Sequence, residues 1–328
     1  MDIYKDIIAC LESKDYEVVW VSDGCISGNP YNKSNINRHT KTIVQYQSEV
    51  DAYWDNLFRT SEFVYPFDVF LAVDGFMVTP QLFKTLEDKN PNIKKVLYLY
   101  DRVEGNYEID MFFPYYTSIY SFDIGDCEHF KLNHLPIYWV PSTDSVVEEY
   151  DVFGLAGFSF GARYDVYKSL KELCKTNELR DFIKLLYKPE KGKVMHYIKY
   201  LYYKVRRKQF LSPVDVKNDL FTTKGQSPKE FREMIMKSRV ILDTQNSNQD
   251  GLTARFMWTL GAEKKIITTN KASSLYSFYT PEQVFILNEN NIDKVVTFIH
   301  QDYSMPDTIR AIIKNYRIDN WIETMLCK

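Results

Sequence analysis

The sequence predicts an α/β protein built from two doubly wound parallel sheets, and three observations support this fold class. Short, nearly uninterrupted apolar segments alternate with segments of helical spacing, which is typical of parallel strands covered by helices on both faces. This alternation stops at a charged segment after Pro141 and then starts again. The length of 328 residues fits two domains of about 150 residues each.

The first half alternates five predicted strands with helices. The strands are predicted over 16–24, 68–75, 94–101, 117–123 and 135–141. Apolar residues recur three and four positions apart over 39–59, which predicts a helix there. A second helix is predicted over 79–91, with Thr79 as N-cap and Pro80 in the first turn, and a short one over 126–133. We place the end of this domain at residue 145.

The second half repeats the pattern over 146–307. Strands are predicted over 151–158, 181–188, 238–244 and 264–270, and helices over 162–177, 227–239, 291–301 and 308–326. Ser227 precedes Pro228 and is the expected N-cap of its helix. Two consecutive sheets of this kind leave a cleft at the carboxyl ends of their strands, where α/β proteins bind ligands.

Composition and charge exclude several classes of protein. A net charge of −3 and a pI near 6.0 argue against a nucleic-acid-binding protein. The five cysteines are scattered and odd in number, so neither a disulfide framework nor a zinc site is expected. The amino terminus lacks the basic start and apolar run of a signal peptide, and no segment is apolar enough to cross a membrane. We therefore expect a cytoplasmic protein, with peripheral attachment to a membrane left open.

Two segments resemble one family. SFDIGDCEHFKLNHLPIYWVP (121–141) and LDTQNSNQDGLTARFMWTLGAEKKIITTN (242–270) resemble the signatures of glycosyltransferases of bacterial capsule and lipopolysaccharide (O-antigen) biosynthesis. These enzymes are similar to the GT-B glycosyltransferases, in which two Rossmann-like domains face each other across a cleft. The resemblance implies that 146–307 binds a nucleotide sugar, that 1–145 binds the acceptor, and that the helix over 308–328 packs back on the first domain. It also favours a retaining mechanism.

The polar loop over 244–250 and the helix expected to begin near Gly251 form the first candidate site. A helix amino terminus offers free N–H groups and partial positive charge to an anion. Gly251 allows close approach of the backbone, Thr253 adds a hydroxyl, and Arg255 adds a guanidinium suited to a diphosphate. With the resemblance, the predicted nucleotide-sugar residues are Gly161, Gln249, Asp250, Gly251, Leu252, Thr253, Trp258 and Asn270. The alternative is a capped helix with a surface arginine.

Arg163 and Lys168 form the second candidate, because they follow the first strand of the second domain. The pair resembles the cations that many GT-B enzymes direct at the leaving diphosphate, and Gly161 indicates a loop that a ligand can approach closely. The alternative is a solvated helix surface.

Replacing Arg255 with Ala is expected to reduce turnover by orders of magnitude and to leave the fold intact.

Turns after predicted strands of the first domain carry Asp23, Asp74 and Asp101, and any of them is able to act as a general base. We favour Asp23, because the long loop that follows it is able to cover an acceptor. The alternative is an ordinary turn aspartate. No two aspartates are two positions apart, and no histidine or cysteine cluster is present, so we expect metal-independent chemistry without a cofactor besides the nucleotide sugar.

Two further features bear on function. Trp258 stands where the resembled family has a glutamate that holds the ribose, so either another residue holds the ribose, or nucleotide choice differs here, or activity is weakened. The segment over 188–210 is strongly basic and rich in aromatics, which suits an anionic membrane surface carrying a lipid-linked glycan, although a solvated helix with a core-facing tyrosine stripe fits equally. The sequence thus predicts a glycosyltransferase that elongates a glycan. The alternatives are a non-catalytic scaffold and a GT-B-fold sugar-nucleotide epimerase.

Overall fold

The computed structural model describes residues 3–31, 41–63, 66–105, 108–142, 146–187, 193–206, 218–245 and 250–327. The chain forms two compact units. The amino-terminal unit comprises Tyr4–Tyr138, Asn248–Leu252 and Asn315–Lys328. The carboxyl-terminal unit comprises Met1–Ile3, Trp139–Ser247 and Thr253–Lys314. The main division falls after Tyr138, a few residues before the predicted boundary at 145.

The amino-terminal unit contains a four-stranded parallel sheet. Its strands, in spatial order, are β1 (Val69–Val73), β2 (Lys94–Leu99), β3 (Ser118–Ser121) and β4 (Asn133–His134). Its helices are α1 (Tyr4–Glu12), α2 (Ile43–Leu57), α3 (Pro80–Lys89), α4 (Ile124–Phe130) and α11 (Ile318–Leu326). The core between the sheet and these helices is aromatic, with buried Tyr46, Trp54, Phe83 and Phe112.

The predicted first strand over 16–24 is wrong. Among the described residues of this segment none joins the sheet, and Asp23–Cys25 is a short 3-10 helix. No side chain from Tyr16 to Ser22 is fully buried, and Trp20 is 50% exposed. A parallel strand is normally covered on both faces, so the apolar run alone was insufficient to predict one. The predicted strand over 135–141 is likewise replaced by the two-residue β4, and the buried segment Leu135–Tyr138 follows that strand without extending it.

The carboxyl-terminal unit contains a six-stranded parallel sheet in the spatial order β10-β9-β8-β5-β6-β7. Its strands are β5 (Tyr150–Gly157), β6 (Asp181–Leu186), β7 (Phe221–Thr222), β8 (Ser238–Asp243), β9 (Lys265–Thr268) and β10 (Val284–Ile286). Its helices are α5 (Ala162–Thr176), α6 (Lys193–Val205), α7 (Pro228–Met236), α8 (Ala254–Gly261), α9 (Val295–His300) and α10 (Asp307–Lys314). Both sheets are parallel and helix-covered, which confirms the predicted α/β class.

Two predicted helix starts are confirmed by their caps. The Thr79 hydroxyl accepts from Leu82 N at 3.1 Å, with Pro80 as the first residue of α3. Ser227 and Glu230 form a capping box at the start of α7, with Pro228 as its first residue. Because each cap satisfies helix N–H groups that otherwise lack partners, cap residues are reliable markers in a sequence.

The single helix predicted over 308–326 is two helices. The chain leaves the helical conformation after Lys314, and Arg317 is extended, with φ −64° and ψ 141°. Helix α10 lies in the carboxyl-terminal unit and α11 in the amino-terminal unit. Trp321 anchors α11 there: its indole N–H donates to Pro136 O at 3.0 Å, and its ring contacts Tyr98 and Tyr138.

Lys265 is a buried lysine at the start of β9. Its ammonium donates to Ile299 O at 3.0 Å and also to the carbonyls of Phe298 and Gln301, so it caps the carboxyl end of α9. Burial lowers the pKa of Lys265 to about 8.

Among the described residues no helix is long and apolar enough to cross a membrane.

Candidate functional site

Two helices of the carboxyl-terminal unit begin where adjacent strands of its sheet end. Helix α5 follows β5, and α8 follows β8, which pairs with β5. This edge brings together Arg163, Asp243, Thr244 and Arg255 from three separate parts of the sequence. The carboxyl ends of parallel strands are the usual binding edge of an α/β fold.

The amino terminus of α5 is open. Its N-cap residue is Gly161, with φ +94°, and no side chain caps the helix. A residue with a side chain is strained at that φ, which explains the glycine. A Cβ built at Gly157 or at Gly161 has no described atom within 4 Å. The first N–H groups of α5 therefore border open space, as an anion site requires.

Arg163 lies in the first turn of α5. Its guanidinium donates to Gly157 O at 3.2 Å and to Thr244 O at 3.4 Å, and the residue is half-buried. Burial, and then the neighbouring positive charge of Arg255, lower the pKa of Arg163. A guanidinium remains charged despite such a shift. Arg163 thus places a partly desolvated positive charge beside the open end of α5.

Arg255 is oriented toward the protein. Its guanidinium donates to Leu155 O at 2.7 Å and to Thr244 O at 3.0 Å, and its Nε lies 3.2 Å from Asp243 Oδ1. The Thr244 carbonyl therefore accepts from both Arg255 and Arg163. Arg255 ties the ends of β5 and β8 together, which is a different role from the predicted direct contact with a diphosphate.

Asp243 holds both Arg255 and the start of α8. Its Oδ1 accepts from the Thr253 hydroxyl at 2.7 Å, and that hydroxyl accepts from Phe256 N at 3.1 Å. Asp243 is only 1% exposed, and its Oδ2 has no hydrogen-bond partner within the described part of the chain. Burial is the main cause that raises the pKa of Tyr167, whose hydroxyl also senses Arg255, Asp243 and Arg163. The cluster is a buried polar network below the site.

The predicted role of Gly251 at the start of α8 is corrected by the structure. The helix begins at Ala254 with Thr253 as its N-cap, and Asp250–Leu252 belongs to the amino-terminal unit. There the Asp123 carboxylate accepts from the N–H groups of Asp250 and Gly251, and Leu252 is fully buried. A Cβ on Gly251 would come within 2.7 Å of Phe122 O. Gly251 is a glycine because it packs against Phe122.

Three other predicted residues lie apart from the open end of α5. Lys168 is exposed on α5, and its position is rotated by about 140° around the helix from Arg163. Trp258 is 3% exposed and packs in the core against Phe231, with the Arg232 guanidinium 5.2 Å from its ring centre. Asn270 is buried and caps a 3-10 helix after β9 by accepting from Ala272 N.

Gln249 and the side chain of Asp23 lie outside the described residues. Of the other candidate bases, Asp74 is turned inward, since its carboxylate accepts from Tyr100 N at 2.7 Å and from Asp101 N. Partial burial raises the pKa of Asp101. A carboxylate of raised pKa suits a general base better than one engaged by the backbone.

The prediction missed Asp243 and the Thr244 carbonyl. Asp243 was visible as the first polar residue after the apolar run 240–242, within the quoted 242–270 segment. The Thr244 carbonyl left no signal, because a backbone acceptor is independent of the side chain. Within the described ranges, no three His, Cys, Asp or Glu residues are grouped to hold a metal ion.

Comparisons with known proteins show which solved structures share the fold of this chain. No family model matches the sequence, and no curated protein matches it. The structure is similar to an α,α-trehalose-phosphate synthase (UDP-forming) from Burkholderia vietnamiensis, with a TM-score of 0.53, 11% identity, and coverage of 91% of this chain and 80% of that chain.

Two other solved structures are similar at lower scores. One is a TarM variant from S. aureus in complex with UDP, with a TM-score of 0.49, 12% identity, and coverage of 86% of this chain and 58% of that chain. The other is an alpha-glucosyltransferase in complex with UDP and a DNA 13-mer, with a TM-score of 0.46, 13% identity, and coverage of 83% and 78%.

Together, the two parallel, helix-covered sheets and the likeness to the trehalose-phosphate synthase define the fold class. The chain has the two-domain, Rossmann-like α/β architecture of the GT-B type. At 11% identity, the likeness extends to the fold. The function therefore rests on the chemistry of the site.

Proposed function

We propose that the protein is a glycosyltransferase that transfers a sugar from a nucleotide-sugar donor to a hydroxyl group of a glycan. The observation that carries the proposal is the uncapped amino terminus of α5, which borders open space with Arg163 in its first turn. The UDP-forming synthase that shares its fold suggests UDP as the first nucleotide to test.

The chemistry of the leaving group explains this choice. When the glycosidic bond to the donor breaks, negative charge develops on the departing diphosphate. Free helix N–H groups and a guanidinium held in place before the reaction stabilise that charge without reorganisation. Lys168 is exposed on the same helix, but its position is rotated by about 140° from Arg163, so Arg163 is the cation that carries this part of the proposal.

Arg255 and Asp243 act as positioning residues in this proposal. Arg255 and Arg163 share the Thr244 carbonyl, so the placement of Arg163 depends on the end of β8. Asp243 compensates one of the two positive charges and orients the Thr253 cap. In this proposal Arg255 and Asp243 hold the ends of β5 and β8 in place, and Arg163 contacts the diphosphate of the donor.

The finer parts of the proposal come from the sequence resemblance and from helix α6. We propose a growing surface polysaccharide, such as capsule or O-antigen, as acceptor, with a metal-independent and retaining mechanism. We also propose a cytoplasmic location with attachment to the inner face of the cell membrane. The quoted 121–141 and 242–270 segments support the first part, and the basic residues of α6 support the second.

Calorimetric titration with UDP, GDP, CDP, ADP and CMP, each with and without EDTA, tests this function. We expect one nucleotide to bind at micromolar affinity whether or not EDTA is present. Binding that is lost when EDTA is added would still support a glycosyltransferase, but it would contradict the proposal that the reaction is independent of a metal ion. Hydrolysis or transfer assays with the matching nucleotide sugars would then identify the donor.

A non-catalytic scaffold is the second candidate, and one observation favours it. The elements predicted to hold the nucleotide at α8 are engaged by the protein: Arg255 binds Leu155 and Thr244, and the Gly251 N–H binds Asp123. Absence of binding for all five nucleotides would support the scaffold. The epimerase alternative predicts conversion of the free sugar nucleotide without an acceptor.

A further inference from the structure

Helix α6 exposes an unusual number of large apolar side chains. Six of its apolar side chains are exposed: that of Val205 is 84% exposed, and those of five other residues are between 43% and 53% exposed. These five are Met195, Tyr197, Ile198, Leu201 and Tyr202. Single exposed apolar residues are common on protein surfaces, but six on one helix of 13 residues form a continuous patch that marks an interaction surface.

The six side chains lie on the side of α6 that faces away from the protein. His196 marks the inner side, because it is buried and its ring nitrogen lies 2.8 Å from the Tyr187 hydroxyl. At about 100° per residue, Ile198, Leu201 and Val205 lie roughly opposite His196. The outermost strip of the helix is therefore apolar, where an ordinary surface helix carries its charged residues.

Basic residues flank this strip on both sides. On the same helical projection, Lys204 lies next to Tyr197, whereas Lys199 and Arg206 lie next to Met195. The Arg206 guanidinium lies 4.4 Å from the centre of the Tyr202 ring. The segment 193–206 has four basic residues and no acidic residue, although the whole chain has a net charge of −3. Positive charge is thus concentrated beside the exposed apolar strip.

We propose that α6 lies flat in the surface of an anionic lipid bilayer. An interfacial helix buries an apolar strip among the upper parts of the acyl chains and keeps flanking Lys and Arg side chains among the headgroups, with aromatic residues at the boundary. Helix α6 has this arrangement, and its length of about 20 Å is too short to cross the bilayer. Charge complementarity selects an anionic lipid surface, and the proposal does not depend on glycosyl transfer.

Co-sedimentation with vesicles tests the proposal. We expect the full chain to bind vesicles of phosphatidylcholine and phosphatidylglycerol (3:1) and to bind phosphatidylcholine alone at least tenfold more weakly. The variant with Ile198→Gln and Leu201→Gln is expected to lose at least tenfold in affinity for the anionic vesicles. The variant with Lys199→Gln and Lys204→Gln is expected to lose affinity most strongly at low salt.

Val44→Gln provides a matched control, because Val44 is a 75% exposed apolar residue on another helix, α2. It is expected to bind vesicles like the unmodified chain. Binding that Ile198→Gln and Leu201→Gln leave unchanged would overturn the proposal, as would equal binding to both vesicle types. Dimers that dissociate on Leu201→Gln, without vesicle binding, would assign the strip to a second copy of the chain instead. Nucleotide titration of the same variants reports separately on the proposed function.

Discussion

The Asp123 carboxylate accepts hydrogen bonds from the backbone N–H groups of Asp250 at 3.0 Å and Gly251 at 3.1 Å. Asp123 is fully buried, and its other oxygen accepts from Asp126 N and so caps α4. The two segments that resemble glycosyltransferase signatures, 121–141 and 242–270, therefore meet at this residue. The residues that carry the resemblance in these two segments therefore include some that hold the fold together, such as Asp123 and Gly251.

Gly251→Ala is expected to lower the free energy of unfolding by about 1–3 kcal/mol, because the added methyl group would overlap the Phe122 backbone and ring. Gly225→Ala is the matched control, since its Cβ would meet only Leu186 at an ordinary 3.8 Å. Urea denaturation of both variants measures the difference. Equal stability of the two would contradict the packing role of Gly251.

Asp243 and Arg255 are expected to behave as a coupled pair. Arg255→Ala leaves the buried Asp243 carboxylate without its guanidinium and is expected to cost on the order of 3 kcal/mol of stability. The fold would therefore be weakened, whereas the sequence alone predicts that it stays intact. Adding Asp243→Asn to Arg255→Ala is expected to recover part of the loss, as a double-mutant cycle by denaturation measures. Strictly additive effects would refute the coupling.

Trp258→Glu is expected to destabilise the protein by about 3–5 kcal/mol, because it places an unpaired carboxylate in the core beside Phe231. The substitution restores the residue type of the resembled family, yet we expect no gain in nucleotide affinity. Thermal denaturation measures the loss of stability, and calorimetric titration measures the nucleotide affinity of the variant. Tighter nucleotide binding by a stable variant would contradict the core placement of Trp258.

Lys265 is expected to make stability depend on pH. Burial lowers its pKa in the folded protein to about 8, whereas the unfolded chain keeps the ordinary value of 10.5. Between these values the unfolded chain holds more protons, so stability rises with pH, and the contribution is lost as pH falls through about 8. The slope approaches about 1.4 kcal/mol per pH unit at most. Lys265→Met is expected to remove this dependence in urea titrations from pH 7.5 to 9.5; identical slopes in both proteins would refute it.

The fold class was predictable from the sequence because buried parallel strands are nearly continuous apolar runs and helix caps are local. Thr79 and Ser227 occupy the predicted cap positions. The segment over 16–24 was misassigned, since its apolar residues, including Trp20, remain partly exposed outside the sheet. Whether an apolar run pairs in a sheet depends on distant residues that a local pattern does not contain.

The site was predicted only in part. Arg163 follows its strand as expected, and the glycine at 161 has the left-handed φ that marks a close-approach loop. The sequence predicts that α8 begins near Gly251, because the polar residues before Thr253 are typical of a ligand loop, whereas the helix begins at Ala254. The sequence predicts a ligand contact for Arg255, because it does not show that Leu155 and Thr244 offer carbonyl oxygens to the guanidinium.

Calorimetric titration of UDP into the unmodified protein, Arg163→Ala and Lys175→Ala tests the central claim most directly. Lys175 is an exposed lysine in the last turn of α5, so its replacement removes the same charge from the same helix far from the open end. We predict micromolar binding by the unmodified protein and by Lys175→Ala, and at least tenfold weaker binding by Arg163→Ala. Binding that is unchanged in Arg163→Ala would contradict the assignment of the nucleotide diphosphate to the start of α5.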